Sequence, residues 1–148
     1  EGHLLANHSY SHSYSKLYAD ETAFMNEINT TYDLIANVEG KPLRERVFRF
    51  PGGGYNAGTW GENKQKYKEK LASEGIRWCD WNALNGDAEG GKRTAEELLD
   101  RVKKTTGSED VVILMHDAAA KSTTADALPQ VIEYLIGQGF VFKTLDQI

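Results

Sequence analysis

Strand-like and helix-like segments alternate along this chain, and that alternation limits its fold more than any other feature of the sequence. Leu4 to Asn7 is a short apolar run of strand type. Phe24, Ile28, Tyr32 and Ile35 then recur at helical spacing across Asp20 to Asn37, with acidic residues early, where the helix dipole favours them, and with Gly40 as a stop. Arg46 to Phe50 is β-prone and is ended by Pro51 and three glycines. Glu62 to Ser73 predicts a helix closed by Gly75, Ile76 to Trp81 a strand, and Asn82 to Gly91 a loop. Thr94-Ala95-Glu96-Glu97 has the form of a capping box, so a helix is expected to run to about Lys104. Val111 to Met115, five consecutive apolar residues, is the clearest buried strand. Thr123 or Thr124 caps a helix through Leu128, Val131, Ile132 and Leu135, and Phe140 to Leu145 closes the chain as a last strand.

Such repetition predicts an α/β fold with a parallel sheet covered by helices, a single domain over residues 1–148. Right-handed crossovers put the carboxyl ends of the strands on one side, where chemistry gathers in folds of this class. His8 and His12 follow the first expected strand, Arg49 and Pro51 the second, Asp80 and Trp81 the third, His116 and Asp117 the fourth. All four groups are expected on one rim. No internal repeat, low-complexity tract or interdomain linker interrupts the pattern.

The net charge of −5 and the scattering of Lys and Arg offer no phosphate footprint, so nucleic acid is not an expected partner. Cys79 is the one cysteine, which excludes an internal disulfide. No apolar run approaches the roughly 20 residues of a membrane span. The chain opens on Glu1-Gly2-His3-Leu4, without Met and beside a strand-like run, as expected of a piece of a longer protein.

His8 and His12 stand four residues apart in Asn7-His8-Ser9-Tyr10-Ser11-His12. Neutral imidazole is a preferred ligand of zinc and similar ions. Residues at i and i+4 meet on one face if the segment is helical or a helix-like turn, and two imidazoles could then grip one ion. The competing reading is two surface histidines in a polar loop.

Taken in order, His8-Ser9-Tyr10-Ser11-His12, Arg49-Phe50-Pro51-Gly52-Gly53, Asp80-Trp81 and Leu114-Met115-His116 resemble the second to fifth motifs of the polysaccharide deacetylases, the NodB-homology family of carbohydrate esterases (family 4). The resemblance covers essentially the whole chain. It implies a distorted (β/α)7 barrel, here incomplete and lacking its first strand and helix. It implies removal of acetyl groups from N-acetylated polysaccharide, peptidoglycan or chitin-like, or from xylan, at the bacterial cell surface or outside the cell. His8 and His12 would bind Zn2+ or a similar divalent ion, Co2+ or Ni2+. The family's first motif, two adjacent aspartates that supply the third metal ligand and the catalytic base, has no counterpart in this sequence. Asp20 and Asp33 lie in the following helix and cannot take those roles by position. The chain by itself is therefore expected to be impaired and to hold metal weakly or not at all.

The remaining roles follow from the same resemblance. His116 is the candidate general acid for the leaving sugar amine, since an imidazolium has a pKa near working pH. Asp80 is assigned as the carboxylate that orients it. Asp117 is adjacent in sequence, but neighbours on an extended strand point to opposite faces. Arg49 resembles the residue that pairs with the catalytic aspartate through a bidentate guanidinium. Gly52 is expected to offer its backbone N–H to the oxyanion. Trp81 and Leu114 would wall the acetyl pocket, and Tyr10, Tyr55 and Trp60 could stack on sugar rings at its mouth.

Plainer readings stand beside these. His3 reads as a strand or surface residue, Cys79 as buried and inert, and Asp87 as a turn residue in the flexible loop of Gly86, Gly90 and Gly91. Gly52 to Gly54 lacks the lysine of a phosphate-cradling loop. Three alternatives to the polysaccharide N-deacetylase remain open: a non-catalytic carbohydrate- or metal-binding module, a xylan O-acetyl esterase, and a flavodoxin-like cofactor-binding domain, which βα repetition alone permits. Open sheet edges also make a homodimer through strand pairing an expectation.

Overall fold

A computed structural model describes residues 2–43, 45–55, 58–107 and 109–147. Its Cα framework divides into two compact units, Glu1–Asp80 with Lys143–Ile148, and Trp81–Phe142. Each is built from helices and a pair of short parallel strands.

In the first unit the helices are α1 (Tyr14–Leu17), α2 (Glu21–Glu39) and α3 (Gly61–Ser73), and the strands β1 (Val47–Phe48) and β2 (Arg77–Trp78). The ends of α2 are set by local chemistry. The Asp20 carboxylate accepts the Ala23 N–H at 2.8 Å, and Gly40 adopts a left-handed φ of 68° that lets the chain leave the helix. Phe24, Ile28 and Tyr32, four residues apart, form the buried stripe of α2. They meet Leu17, Tyr18, Phe48, Phe50, Tyr67 and Leu71 in an aromatic-rich core, where the Phe24 and Tyr67 rings stack at 4.2 Å. β1 and β2 pair in parallel, Val47 with Arg77 and Phe48 with Trp78. The run expected as a first strand contributes one bridge only: Asn7 N–H donates to Val47 O at 2.9 Å and Arg49 N–H to Asn7 O at 2.8 Å.

The second unit carries β3 (Ala83–Leu84), α4 (Ala95–Thr105), β4 (Ile113–Leu114) and α5 (Ser122–Gly137). The capping box of α4 is complete: Glu97 N–H donates to Thr94 Oγ1 at 3.2 Å, and Thr94 N–H to Glu97 Oε2 at 2.8 Å. Val102 of α4 packs with Val131 and Leu135 of α5, flanked by Leu99, Ile113, Met115, Tyr134 and Phe140. β3 and β4 are parallel, Ala83 with Ile113 and Leu84 with Leu114.

Several expected strands are corrected. The segment expected as a loop, Asn82 to Gly91, contains β3. Val111 to Met115 is only half-buried, and its ladder is limited to Ile113–Leu114. Phe140 to Leu145 is not a strand. Val141 and Phe142 are 80% and 57% exposed, so burial does not favour an extended ladder there, and a 3-10 turn over Leu145–Gln147 follows. Among the described residues, no helix is long and apolar enough to cross a membrane.

Candidate active site

The first unit presents the histidine pair. The His8 and His12 ring centroids lie 5.0 Å apart at 63°. A helical turn does not bring them together, contrary to one condition of the sequence reading: Ser9 and His12 are left-handed, with φ of 70° and 52°. Side chains hold this strained loop. Asn7 Oδ1 accepts the Ser9 N–H at 2.9 Å, Ser9 Oγ accepts the His12 N–H at 3.0 Å, and one Glu27 carboxylate oxygen accepts both the Tyr10 and Ser11 N–H groups. The His8 Nδ1 lies 2.8 Å from Arg49 O. A carbonyl can only accept, so Nδ1 carries the hydrogen and the neutral ring keeps its lone pair on Nε2. A hydrogen bond of this kind to the second ring nitrogen is the usual support of a metal-binding histidine.

Next to this loop runs the segment Arg49 to Gly54. Arg49 Nε–H donates to Cys79 O at 3.3 Å, a bond from the residue after β1 to the residue after β2. Gly52 has φ of 74°, and a Cβ there would sit 2.6 Å from Tyr14 Oη, so the close approach of Tyr14 requires glycine. Three buried or half-buried side chains hold the turn. Tyr18 Oη donates to Pro51 O at 2.7 Å, Lys64 Nζ to Gly53 O at 2.7 Å, and both oxygens of Asp80 accept the Gly54 N–H at 2.9 and 2.8 Å. Burial pushes the Lys64 ammonium down, against the opposing pull of Asp80. Burial likewise raises the Tyr18 phenol, aided by Tyr14 and Asp80. Tyr55, 56% exposed, follows this turn.

The second unit presents His116, half-buried at the end of β4. Its Nδ1 lies 2.7 Å from Asp87 Oδ1, and its backbone N–H donates to Asp87 Oδ2 at 2.8 Å. The carboxylate on His116 is therefore Asp87, whereas the resemblance gave that place to Asp80, whose own carboxylate is engaged with Gly54. Burial alone would raise the Asp87 carboxyl. Hydrogen bonds from the His116 ring and backbone and from Thr124 outweigh burial and hold it below the usual carboxylate range. Parallel pairing of β3 with β4 sets this contact: Asn85 N–H donates to Leu114 O at 3.2 Å, and Asp87 follows two residues on. Leu114 and Trp81 are half-buried in the same unit, and Asp117 is exposed.

Sequence reasoning missed Asp87, Thr124, Lys64 and Glu27 as parts of these constellations. In sequence Asp87 was only an acid in a glycine-rich segment, which reads as a turn residue, whereas in the structure its side chain is 3% exposed. For Lys64 and Glu27 the sequence offered only ordinary helix-face charges.

The two histidines suit a divalent ion as part of a ligand set. Among the described residues, no group of three or more His, Cys, Asp and Glu side chains is placed to hold one. Two imidazoles with one lone pair directed by Arg49 O match the nitrogen donors that zinc prefers, and a further ligand would have to join them.

A sequence profile described as polysaccharide deacetylase matches residues 1–69. The peptidoglycan-N-acetylmuramic acid deacetylase of Bacillus subtilis is 31% identical over all of this chain, which covers 28% of that protein. A peptidoglycan-N-acetylglucosamine deacetylase of Bacillus cereus is 29% identical over 97% of this chain and 50% of its own length. Among solved structures, the catalytic domain of peptidoglycan N-acetylglucosamine deacetylase from Eubacterium rectale matches with a TM-score of 0.84 at 28% identity, over 97% of this chain and 66% of that one. A Streptococcus mutans CE4 esterase matches with a TM-score of 0.79 at 32% identity, over 93% and 60%. The chain thus spans between 28% and 66% of these proteins. The mixed α/β architecture, the ordered motifs and these likenesses agree in what the chain is similar to, the polysaccharide deacetylases.

Proposed function

We propose that this chain is part of the catalytic domain of a metal-dependent deacetylase, which removes acetyl groups from an N-acetylated polysaccharide, peptidoglycan or a chitin-like polymer. The observation that carries this reading is the Asp87–His116 pair. A buried carboxylate takes Nδ1, so Nε2 is the nitrogen left to exchange a proton. The names of the similar proteins, peptidoglycan deacetylases from Bacillus and Eubacterium, support the substrate class.

Hydrolysis adds water to the acetyl carbonyl, breaks the C–N bond and returns a proton to the sugar amine. His8 and His12 would hold the ion, zinc, cobalt or nickel. Such an ion, when bound, polarises the carbonyl oxygen and makes bound water acidic. His116, protonated, hands its Nε2 proton to the departing amine, and Asp87 keeps the ring in register and stabilises its charge. Gly52 would offer its N–H to the oxyanion, with the Gly53 carbonyl and Gly54 N–H below it tied down by Lys64 and Asp80. Asp80 thus moves in this reading from orienting His116 to shaping the oxyanion turn. Arg49, held by Cys79 O, would steady the catalytic carboxylate. Trp81 and Leu114 would line the acetyl pocket, and exposed Tyr55 would meet a sugar ring.

The same proposal includes the incomplete (β/α)7 barrel and work at the cell surface, where such polymers lie. The sequence contains no adjacent aspartates, so this chain by itself is proposed to be impaired. The test is acetate release from N-acetylated peptidoglycan with divalent metal, by this chain and by a form extended at its N-terminus with an aspartate-bearing strand and helix. Release by the extended form and little by the chain is expected. A folded, metal-loaded extended form that releases no acetate overturns the reading.

A further inference from the structure

The first turn of α5 and the residue just before it hold Asp87 at its carboxylate and its carbonyl. Thr124, 8% exposed, donates from Oγ1 to Asp87 Oδ2 at 2.9 Å. Lys121, the last residue of the 3-10 turn Ala119–Lys121 that leads into α5, donates from Nζ to the Asp87 carbonyl oxygen. Asp87 N–H is tied in turn to Asn85 Oδ1 at 3.1 Å.

An aspartate carboxylate turns easily about its last torsion, which is broad and nearly two-fold. Oδ1 stays opposite His116 Nδ1 only if Oδ2 is also pinned. Two donors meet Oδ2. One is the backbone of His116, which sits on the same residue as the ring to be oriented. The other is Thr124, which comes from a different element and has a β-branched side chain stiff at χ1. Thr124 is therefore the donor that references the carboxylate to the helix scaffold.

We propose that Thr124 is a positioning residue that sets the tautomer of His116, by locking the Asp87 carboxylate so that the neutral ring carries its hydrogen on Nδ1 and its lone pair on Nε2. Thr124 acts through Asp87 and touches no reacting atom. The consequence for catalysis rests on the proposed function, because Nε2 is the nitrogen that would serve the leaving amine. The tautomer itself can be read with no reaction running.

The test uses this chain labelled with 15N-histidine, at a pH where His116 is neutral. Ring nitrogen shifts then report which nitrogen bears the hydrogen. Wild type is expected to be predominantly Nδ1–H. Thr124→Val keeps the side chain's shape and removes the donor. The Nε2–H form, which a free histidine favours, should then become the major one. Thr124→Ser keeps the hydroxyl and should retain the wild-type spectrum. Thr124→Ala repeats the loss of the donor should the valine variant not fold. A wild-type ring already in the Nε2–H form overturns the proposal, as does a donor-less variant with the wild-type tautomer or a serine variant that loses it. A tautomer shift without acetate release from the extended enzyme would remove the deacetylase reading and leave the clamp. Acetate release with an unchanged tautomer would do the reverse.

Discussion

Asp87 grips His116 twice, with Oδ1 2.7 Å from the ring Nδ1 and Oδ2 accepting the residue's own backbone N–H at 2.8 Å. The second bond does not depend on rotation of the histidine side chain, so the carboxylate stays beside His116 whatever the ring does. It also means that the carboxylate serves the fold and the ring at once. Asn at this position would offer one acceptor and one donor where three donors already converge.

Asp87→Asn is therefore expected to lower unfolding free energy by about 1–3 kcal/mol at neutral pH, the usual cost of a buried polar group left badly paired. The pH dependence has a definite sign. The folded-state pKa of Asp87 is depressed, so its contribution is complete above the unfolded value of about 3.9 and is lost as pH falls through the folded value. Urea denaturation of both proteins at neutral pH and at about pH 2 checks this. The gap between them should narrow on acidification. A gap that widens would mean that Asp87 is not the ionised acceptor.

The His8–His12 pair makes a separate prediction about metal. Calorimetric titration with Co2+ of the form extended at its N-terminus should show binding that His8→Ala and His12→Ala each weaken by at least about tenfold, since losing even an outer partner of a metal ligand costs that much. Glu27→Gln, which weakens the acceptor of the Tyr10 and Ser11 amides, should reduce affinity less, through the loop alone. Identical isotherms for wild type and both alanine variants would remove the pair from any metal site.

Gly52 and Tyr14 are expected to be coupled. Gly52→Ala meets two costs, a left-handed residue at about 1–2 kcal/mol and a Cβ 2.6 Å from Tyr14 Oη. Tyr14→Phe removes that oxygen and relieves the second cost only. In a double-mutant cycle followed by urea denaturation, the pair should be more stable than the sum of the two single changes predicts. Strict additivity would show that Tyr14 swings away freely.

Helix starts were legible in this sequence and strands only in part, for a physical reason. β1, β2 and β4 lie inside expected runs, but each is shorter than its run, β3 was expected as loop, and Phe140 to Leu145 is not a strand. Asp20 before α2 and Thr94 before α4 act through bonds three residues away, so their signals are local, and each of the four longer helices starts within about two residues of its expected place. The described strands are two residues long and their ladders join residues about 30 apart, such as Val47 with Arg77 and Ala83 with Ile113. Ala83–Leu84 has no alternation to read. Asp87 was lost with it, because only the pairing of β3 with β4 carries Asp87 to His116. The histidine loop shows the same split. Spacing pointed to two imidazoles acting together, but Asn7 and the distant Glu27 shape the loop, with left-handed residues that no helical periodicity would anticipate.

The complete capping box of α4 gives the last prediction. Thr94→Ala removes the acceptor of the Glu97 N–H at the start of a helix whose Leu98 and Val102 are buried. The expected loss is about 1 kcal/mol. Glu97→Gln should cost less than Thr94→Ala, because a neutral amide oxygen can still reach back to the Thr94 N–H. The hydrogen bonds from Thr94 hold the Glu97 carboxyl below its ordinary range, so the Glu97→Gln difference should fade as pH drops through that folded value while the Thr94→Ala penalty largely persists. Urea midpoints across this range separate the two effects. Equal fading in both variants would place the whole effect in the charge of Glu97 and none in the threonine hydroxyl.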